Sequence, residues 1–274
     1  MRLDWLTDPH LDHLRDEEML LAFVKKLHSR PSDGLLITGD IAEGPTIYEF
    51  LGLVSGAYQR PVYFVLGNHD FFGGFMSDAH QEVRTVCRAV PQGILNWMTD
   101  RDFIMLDETT ALVGHDGFYD GQAGQAGLTF SLPDFFLPGG NRDLIQALEL
   151  GSRHLFRLLE RLGRESAAFL RTQIQGAIRY GARRVLVITH VPPFRQASYF
   201  RGRPSEPHAV PFYVNQILGE ELLELAGKFP NVKIEVYAGH THCERVYEAA
   251  DNLVVHVGRA RYERLPTFQQ PIVI

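Results

Sequence analysis

Val62-Tyr63-Phe64-Val65-Leu66-Gly67-Asn68-His69-Asp70 is an apolar run that ends in a glycine, an amide, an imidazole and a carboxylate. Valine and aromatic residues dominate Val62 to Leu66, so this run predicts a strand, and the polar residues fall just past its carboxyl end. Four other segments repeat the arrangement. Leu3 to Leu6 precedes Asp8-Pro9-His10, Leu35 to Thr38 precedes Gly39-Asp40, Val185 to Ile188 precedes Thr189-His190, and Ile234 to Ala238 precedes Gly239-His240-Thr241-His242. Ligand-type side chains therefore converge along the carboxyl edge of a sheet, where open α/β sheets place their sites. Carboxylate, imidazole and amide oxygen together suit a transition metal, whereas hard oxygen donors alone would suit magnesium or calcium. Two such ions roughly 3.5–4 Å apart can ionise and align a water for hydrolysis.

In their order, D-x-H, G-D, G-N-H-D, H and G-H-x-H, these blocks resemble the calcineurin-like metallophosphoesterases, over the span from Leu3 to about Val257. One block departs from the family pattern: Glu43 stands where the family more often has Asp, three residues after Asp40. The resemblance implies that Asp8, His10 and His242 hold one metal, that Asn68, His190 and His240 hold the other, and that Asp40 bridges them. It implies two divalent ions, manganese first, with iron or zinc as alternatives. His69 would face the substrate as general acid for the leaving oxygen, a role suited to an imidazole titrating near neutrality, and Asp70 would fix its tautomer.

Blander readings exist for each residue alone. Asp8 and Asp40 could be turn formers or helix caps after strands. His13, His28, His80, His154 and His208 read as surface or core histidines with no ligand role. What the bland readings leave unexplained is the coincidence of all five blocks at strand ends.

Composition agrees with a compact enzyme. The chain has 274 residues, 45% of them hydrophobic, enough for a sizeable core. One domain spanning 1–274 is expected, because no linker divides the motifs and the ligands come from both ends of the chain. A net charge of −6, with scattered basic residues, argues against nucleic acid as a partner. The stretch Arg153 to Arg164 reads as a solvated helix face. The opening residues lack the apolar core of a signal peptide, no run approaches membrane-helix length, and the only cysteines are Cys87 and Cys243; a cytoplasmic enzyme is expected.

The coarse pattern begins βαβαβ, with helices over Leu14 to Ser29 and Pro45 to Ala57. Short strands are expected at Phe103 to Leu106 and Thr110 to Val113, three more between Val232 and Val257, and a long helical region from Asp143 to Tyr180. Periodicity gives α/β; the resemblance implies a four-layer α/β/β/α sandwich of two mixed sheets flanked by helices. Two irregular stretches, 115–142 and 191–212, are expected to be specificity loops, the second denied regular structure by its prolines. Tyr119, Arg195, Tyr199 and Arg201 are the candidate substrate contacts, through stacking and phosphate binding. The reading is a phosphoesterase acting on a small phosphate mono- or diester. The alternatives are a nuclease with the same metal chemistry and a non-catalytic scaffold of the same fold.

Overall fold

The computed structural model of the chain describes residues 1–124, 133–135 and 139–274. In chain order its elements are β1 (Arg2–Leu6), α1 (Glu17–His28), β2 (Gly34–Thr38), α2 (Ile47–Tyr58), β3 (Val62–Val65), α3 (Met76–Ala89), β4 (Leu95–Trp97), β5 (Ile104–Met105) and β6 (Thr110–Gly114). There follow α4 (Arg142–Glu149), α5 (Ser152–Tyr180), β7 (Arg184–Ile188), β8 (Tyr199–Phe200), β9 (Arg203–Pro204), α6 (Gln216–Lys228), β10 (Lys233–Ala238), β11 (Arg245–Ala250), β12 (Leu253–Val257) and β13 (Ile272–Val273).

One sheet runs β13-β1-β2-β3-β4 and the other β11-β12-β10-β7-β6-β5. The central strands β1 to β4 pair in parallel, as do β6, β7, β10 and β12, while β13, β11 and β5 add antiparallel edges. Alternation of side chains along the strands sets the layers. Leu35 and Ile37 of β2 face a core with Phe23, Leu27, Leu51 and Val54 of α1 and α2, whereas Leu36 faces the other way, toward Leu186 and Ile188 of β7. Val185 and Val187 of β7 point outward onto Leu170 and Ile174 of α5 and Leu218 and Leu222 of α6. Strands buried on both faces need uninterrupted apolar runs, and that is why the motif-preceding stretches are so hydrophobic. Two mixed sheets packed face to face with helices outside are the architecture expected.

Differences are local. The expected long helix breaks into α4 and α5 at Gly151, whose φ of 113° a side chain would resist. Helices α3 and α6 and strands β4 and β13 fill stretches that the motif-led reading left unassigned. Region 191–212 is not wholly irregular: it holds a short β8–β9 hairpin, with Pro204 inside β9, and two single turns of 3-10 helix, the second containing Pro211. Of the expected loop 115–142, residues 125–132 and 136–138 lie outside the described residues. No helix among the described residues is long and apolar enough to cross a membrane.

Candidate metal centre

The ends of β1, β2, β3, β7 and β10 bring the seven candidate ligands together. Asp8, His10, Asp40 and His242 offer donor atoms that all lie within 4.8 Å of one another, and so do Asp40, His190 and His240. Asp40 belongs to both groups. His10 Nε2 stands 3.2 Å from His242 Nε2, and His242 Nε2 is 3.3 Å from Asp8 Oδ1. On the other side, His190 Nε2 lies 3.0 Å from Asn68 Oδ1 and 3.4 Å from Asp40 Oδ1.

Five of the eight non-glycine residues with positive φ, among the described residues, are in this set: Asp8, His10, Asp40, His240 and His242. Such backbone costs of order 1–3 kcal/mol at each position and persists where the surroundings enforce it, so its concentration at the carboxyl ends of three strands, drawn from both sheets rather than from the single sheet edge expected, marks a site and not a scatter of turns. Close approach of β2 and β3 adds to this. A side chain at Gly67 would run into the Asp40 carboxylate and the His190 ring.

Outer contacts fix the inner ligands. His190 Nδ1 donates to the Thr38 carbonyl at 2.9 Å, leaving Nε2 as the lone-pair nitrogen in the neutral ring, and that nitrogen faces the Asn68 oxygen, another acceptor. The Asn68 amide donates to Asp134 Oδ1 at 2.9 Å, so its oxygen must turn inward. His240 Nε2 donates to the Phe212 carbonyl at 2.9 Å, which leaves Nδ1 as the free donor atom. Asp8 and Asp40 are almost fully buried, at 2% and 1% exposure, and among the described residues their ionic partners are imidazoles, with no Lys or Arg. With these rings neutral, their lone pairs converge around two buried carboxylates, an arrangement that cations would satisfy.

The surrounding charges divide these imidazoles. Burial, with His69 and His242 nearby, pulls His10 down to about 3 in spite of Asp40. Burial, with His190, likewise pulls His240 down to about 4. For His190 burial also opposes the charge, but Asp40 and Asp8 outweigh it and hold the imidazole up to about 10. Asp40 stays well below the usual carboxylate range: burial works against ionisation, and His190 and His69 overcome it.

His69 sits beside the ligands, its side chain 13% exposed and its backbone N–H donating to Asp40 Oδ1 at 2.9 Å. The carboxylate that meets its ring is not Asp70. Asp70 is buried and accepts from the backbone N–H groups of Ile41, Ala42 and Gly67 at 2.7–3.0 Å, tying the β2 and β3 turns together. The place expected for Asp70 beside the ring is taken by Glu43, whose Oε1 lies 3.1 Å from His69 Nδ1 and 3.1 Å from His13 Nε2. The hydrogen bond with His69 does most to hold Glu43 down to about 2, against its burial. So the family departure at position 43 sits at the site, and His13, read as a bystander, lies on its rim.

The candidate substrate contacts separate. Tyr119 is fully buried and its hydroxyl donates to Asp134 Oδ1 at 3.1 Å, so it supports Asn68 from behind and has no face for a ligand. Arg195 is exposed, Arg201 lies over the Phe200 ring at 5.2 Å, and Tyr199 is covered by Arg245 at 4.6 Å. Tyr262 was missed: its ring centroid is 4.3 Å from His10 and 4.9 Å from His242, and its hydroxyl is 3.5 Å from His69 Nε2. Asp134 was missed as well. Neither belongs to a motif; only three-dimensional proximity reveals them.

Two mixed sheets flanked by helices, with two clusters of potential metal ligands sharing Asp40, are the fold and site of a metal-dependent phosphoesterase. The chain belongs to the calcineurin-like phosphoesterase family, whose sequence profile matches residues 1–244. No curated protein sequence matches at a significant level. Among solved structures, the phosphopantetheinyl hydrolase PptH of Mycobacterium tuberculosis is similar at 15% identity and a TM-score of 0.57, covering 96% of this chain and 90% of that one. A dimetal phosphatase of Danio rerio is similar at 14% identity and a TM-score of 0.57, covering 96% and 88%. GAP50, the anchor in the inner membrane complex of Plasmodium, is similar at 14% identity and a TM-score of 0.51, covering 94% and 71%. At these identities the three share the fold with this chain.

Proposed function

We propose that the chain hydrolyses small phosphate esters at two divalent transition-metal ions. Asp8, His10 and His242 would hold one, Asn68, His190 and His240 the other, with Asp40 shared; the observation that carries this reading is that Asp40 belongs to both donor groups. Bound there, the ions would neutralise the ester and ionise the attacking water. Manganese is the metal proposed first, with iron or zinc as alternatives, because the donors mix carboxylate, imidazole and amide.

His69 is assigned as general acid. Glu43 accepts from its Nδ1, which leaves Nε2 toward the opening as the nitrogen carrying the transferable proton. As the water oxygen joins phosphorus, the bond to the leaving oxygen breaks and the Nε2 proton passes to that oxygen. Both monoesters and diesters fit this chemistry. Cys87 and Cys243 are unpaired, as suits a reducing compartment, and a cytoplasmic site of action is part of the reading.

The test is hydrolysis of p-nitrophenyl phosphate and its bis-ester after chelation and reconstitution with manganese, iron or zinc. Loss on chelation and recovery with one of these metals is expected. Inactivity toward both esters with every metal would overturn the proposal.

A further inference from the structure

The segment from Gly258 to Gln269 leaves β12 and folds over the outer side of the metal centre. Its base is closed by the Gln269 side chain, which accepts from Arg259 N at 3.1 Å and donates to the carbonyls of Arg259 and Thr267 at 2.9 and 2.8 Å. Ala260 N donates to the His242 carbonyl at 3.4 Å, and Arg15 Nε donates to Glu263 at 3.1 Å, pinning the tip. Glu263 carries a φ of 55°, a further strained position in a loop already held at both ends. This bracing presents Tyr262 to His10, His13, His69 and His242.

The residues that flank Tyr262 in the same loop make a hollow of about 530 Å³, lined by Arg259, Arg261, Arg264, Met19, Leu265 and Thr267. The three guanidinium groups are on exposed residues and none has a carboxylate within ion-pair distance among the described residues. Glu263, the one acid within the loop, is engaged by Arg15 instead. In a chain of net charge −6, these three neighbouring arginines, of which only Arg264 feels Glu263, repel one another, and an anion would relieve that repulsion. The hollow contrasts with the one at the β8–β9 hairpin, where Arg201 and Arg203 share the lining with Glu206.

We infer that the Arg259–Arg261–Arg264 hollow is a subsite for a second anionic group, a phosphate or carboxylate, carried on the leaving group of the substrate. The inference rests on the assignment of His69 as general acid, because Tyr262 reaches the Nε2 atom past which the leaving group departs. Tyr262 then orients the leaving group between the scissile ester and the subsite.

The test compares α,ω-alkanediol bisphosphates of two to six carbons with alkyl monophosphates of the same lengths, using the manganese-loaded protein. For at least one length the bisphosphate is expected to have a KM about tenfold lower, beyond the statistical factor of two, and the advantage should shrink with added salt. In the R259A/R261A/R264A variant the ratio of kcat/KM between the two esters should fall toward that factor of two, while R201A/R203A should keep it. Calorimetric binding of the same pairs gives a readout independent of turnover. Should neither ester be hydrolysed, the proposed function fails by the p-nitrophenyl assay, and binding alone still decides the subsite. No bisphosphate advantage at any length in the wild type, an advantage that survives the triple variant, or one that disappears in R201A/R203A would overturn it.

Discussion

The two halves of the metal centre are built to different standards. On the inner side, Asn68, His190 and His240 each have their second polar atom committed, to Asp134, to the Thr38 carbonyl and to the Phe212 carbonyl. On the outer side Asp8 accepts from His240 N and Thr7, but His10 Nδ1 is buried with no hydrogen-bond partner among the described residues and the His242 side chain is 18% exposed. Ligands whose orientation is paid for in advance lose less entropy when an ion arrives. The inner half should therefore hold its ion more tightly, and the outer half, next to His69 and Tyr262, should exchange its ion and meet the substrate. A graded chelator titration followed by elemental analysis reads this directly: stoichiometry should pass through a plateau near one ion per chain, and simultaneous loss of both would contradict the asymmetry.

The largest effect should come from removing what the halves share. Asp40→Asn is expected to empty both, with a loss of activity beyond the roughly 10–100-fold typical of removing an outer-shell partner. Retention of one full-affinity ion would show that the carboxylate is not common to them. Next comes His69→Ala, which should keep both ions and slow turnover by about 10²–10⁴, least for p-nitrophenol as leaving group and most for alkyl groups. A loss that is uniform across leaving-group pKa values, or that is accompanied by loss of an ion, would remove His69 from the acid role. Glu43→Gln should reproduce part of this pattern.

A narrower break targets the bracing alone. Asp134→Ala frees the Asn68 amide and is expected to weaken the inner ion by about 10–100-fold while leaving the outer one in place. Equal weakening of both would mean that the difference between the halves does not lie in these hydrogen bonds. Smallest is Tyr119→Phe, which deletes one hydrogen bond to Asp134 and should cost about 0.5–1.5 kcal/mol in stability, readable by denaturant unfolding of the metal-loaded protein. An unchanged midpoint would place the support of Asp134 elsewhere.

What could be read in the sequence was local. Each ligand block follows its own strand, so the apolar run and the polar residues after it carry both the position and the chemistry in fewer than ten consecutive residues, and the order of blocks carries the topology. Asp70 shows where locality ends. It adjoins His69 in sequence, but the turn of 3-10 helix at His69–Phe71 sends the two side chains in different directions, one to the opening and one back to the amides of Ile41, Ala42 and Gly67. Glu43, Asp134 and Tyr262 reach the site from separate turns and loops, with no periodicity or spacing to announce them. Helices α3 and α6 were unassigned for a simpler reason: they carry no ligands, and a reading led by motifs passes over them.

The seven ligands are also divided between the sheets: Asp8, His10, Asp40 and Asn68 follow strands of one, and His190, His240 and His242 follow strands of the other. An ion held by Asp8, His10 and His242, or by Asn68, His190 and His240, would draw on both sheets and act as a rivet through the sandwich. Occupancy of the native form alone stabilises it by RT ln(1 + [L]/Kd), about 2.7 kcal/mol at a hundredfold excess over Kd. The thermal tolerance of a given preparation should thus rise and fall with its mineral content, and a batch purified in chelating buffer would misrepresent how robust the fold is when the rivets are in place.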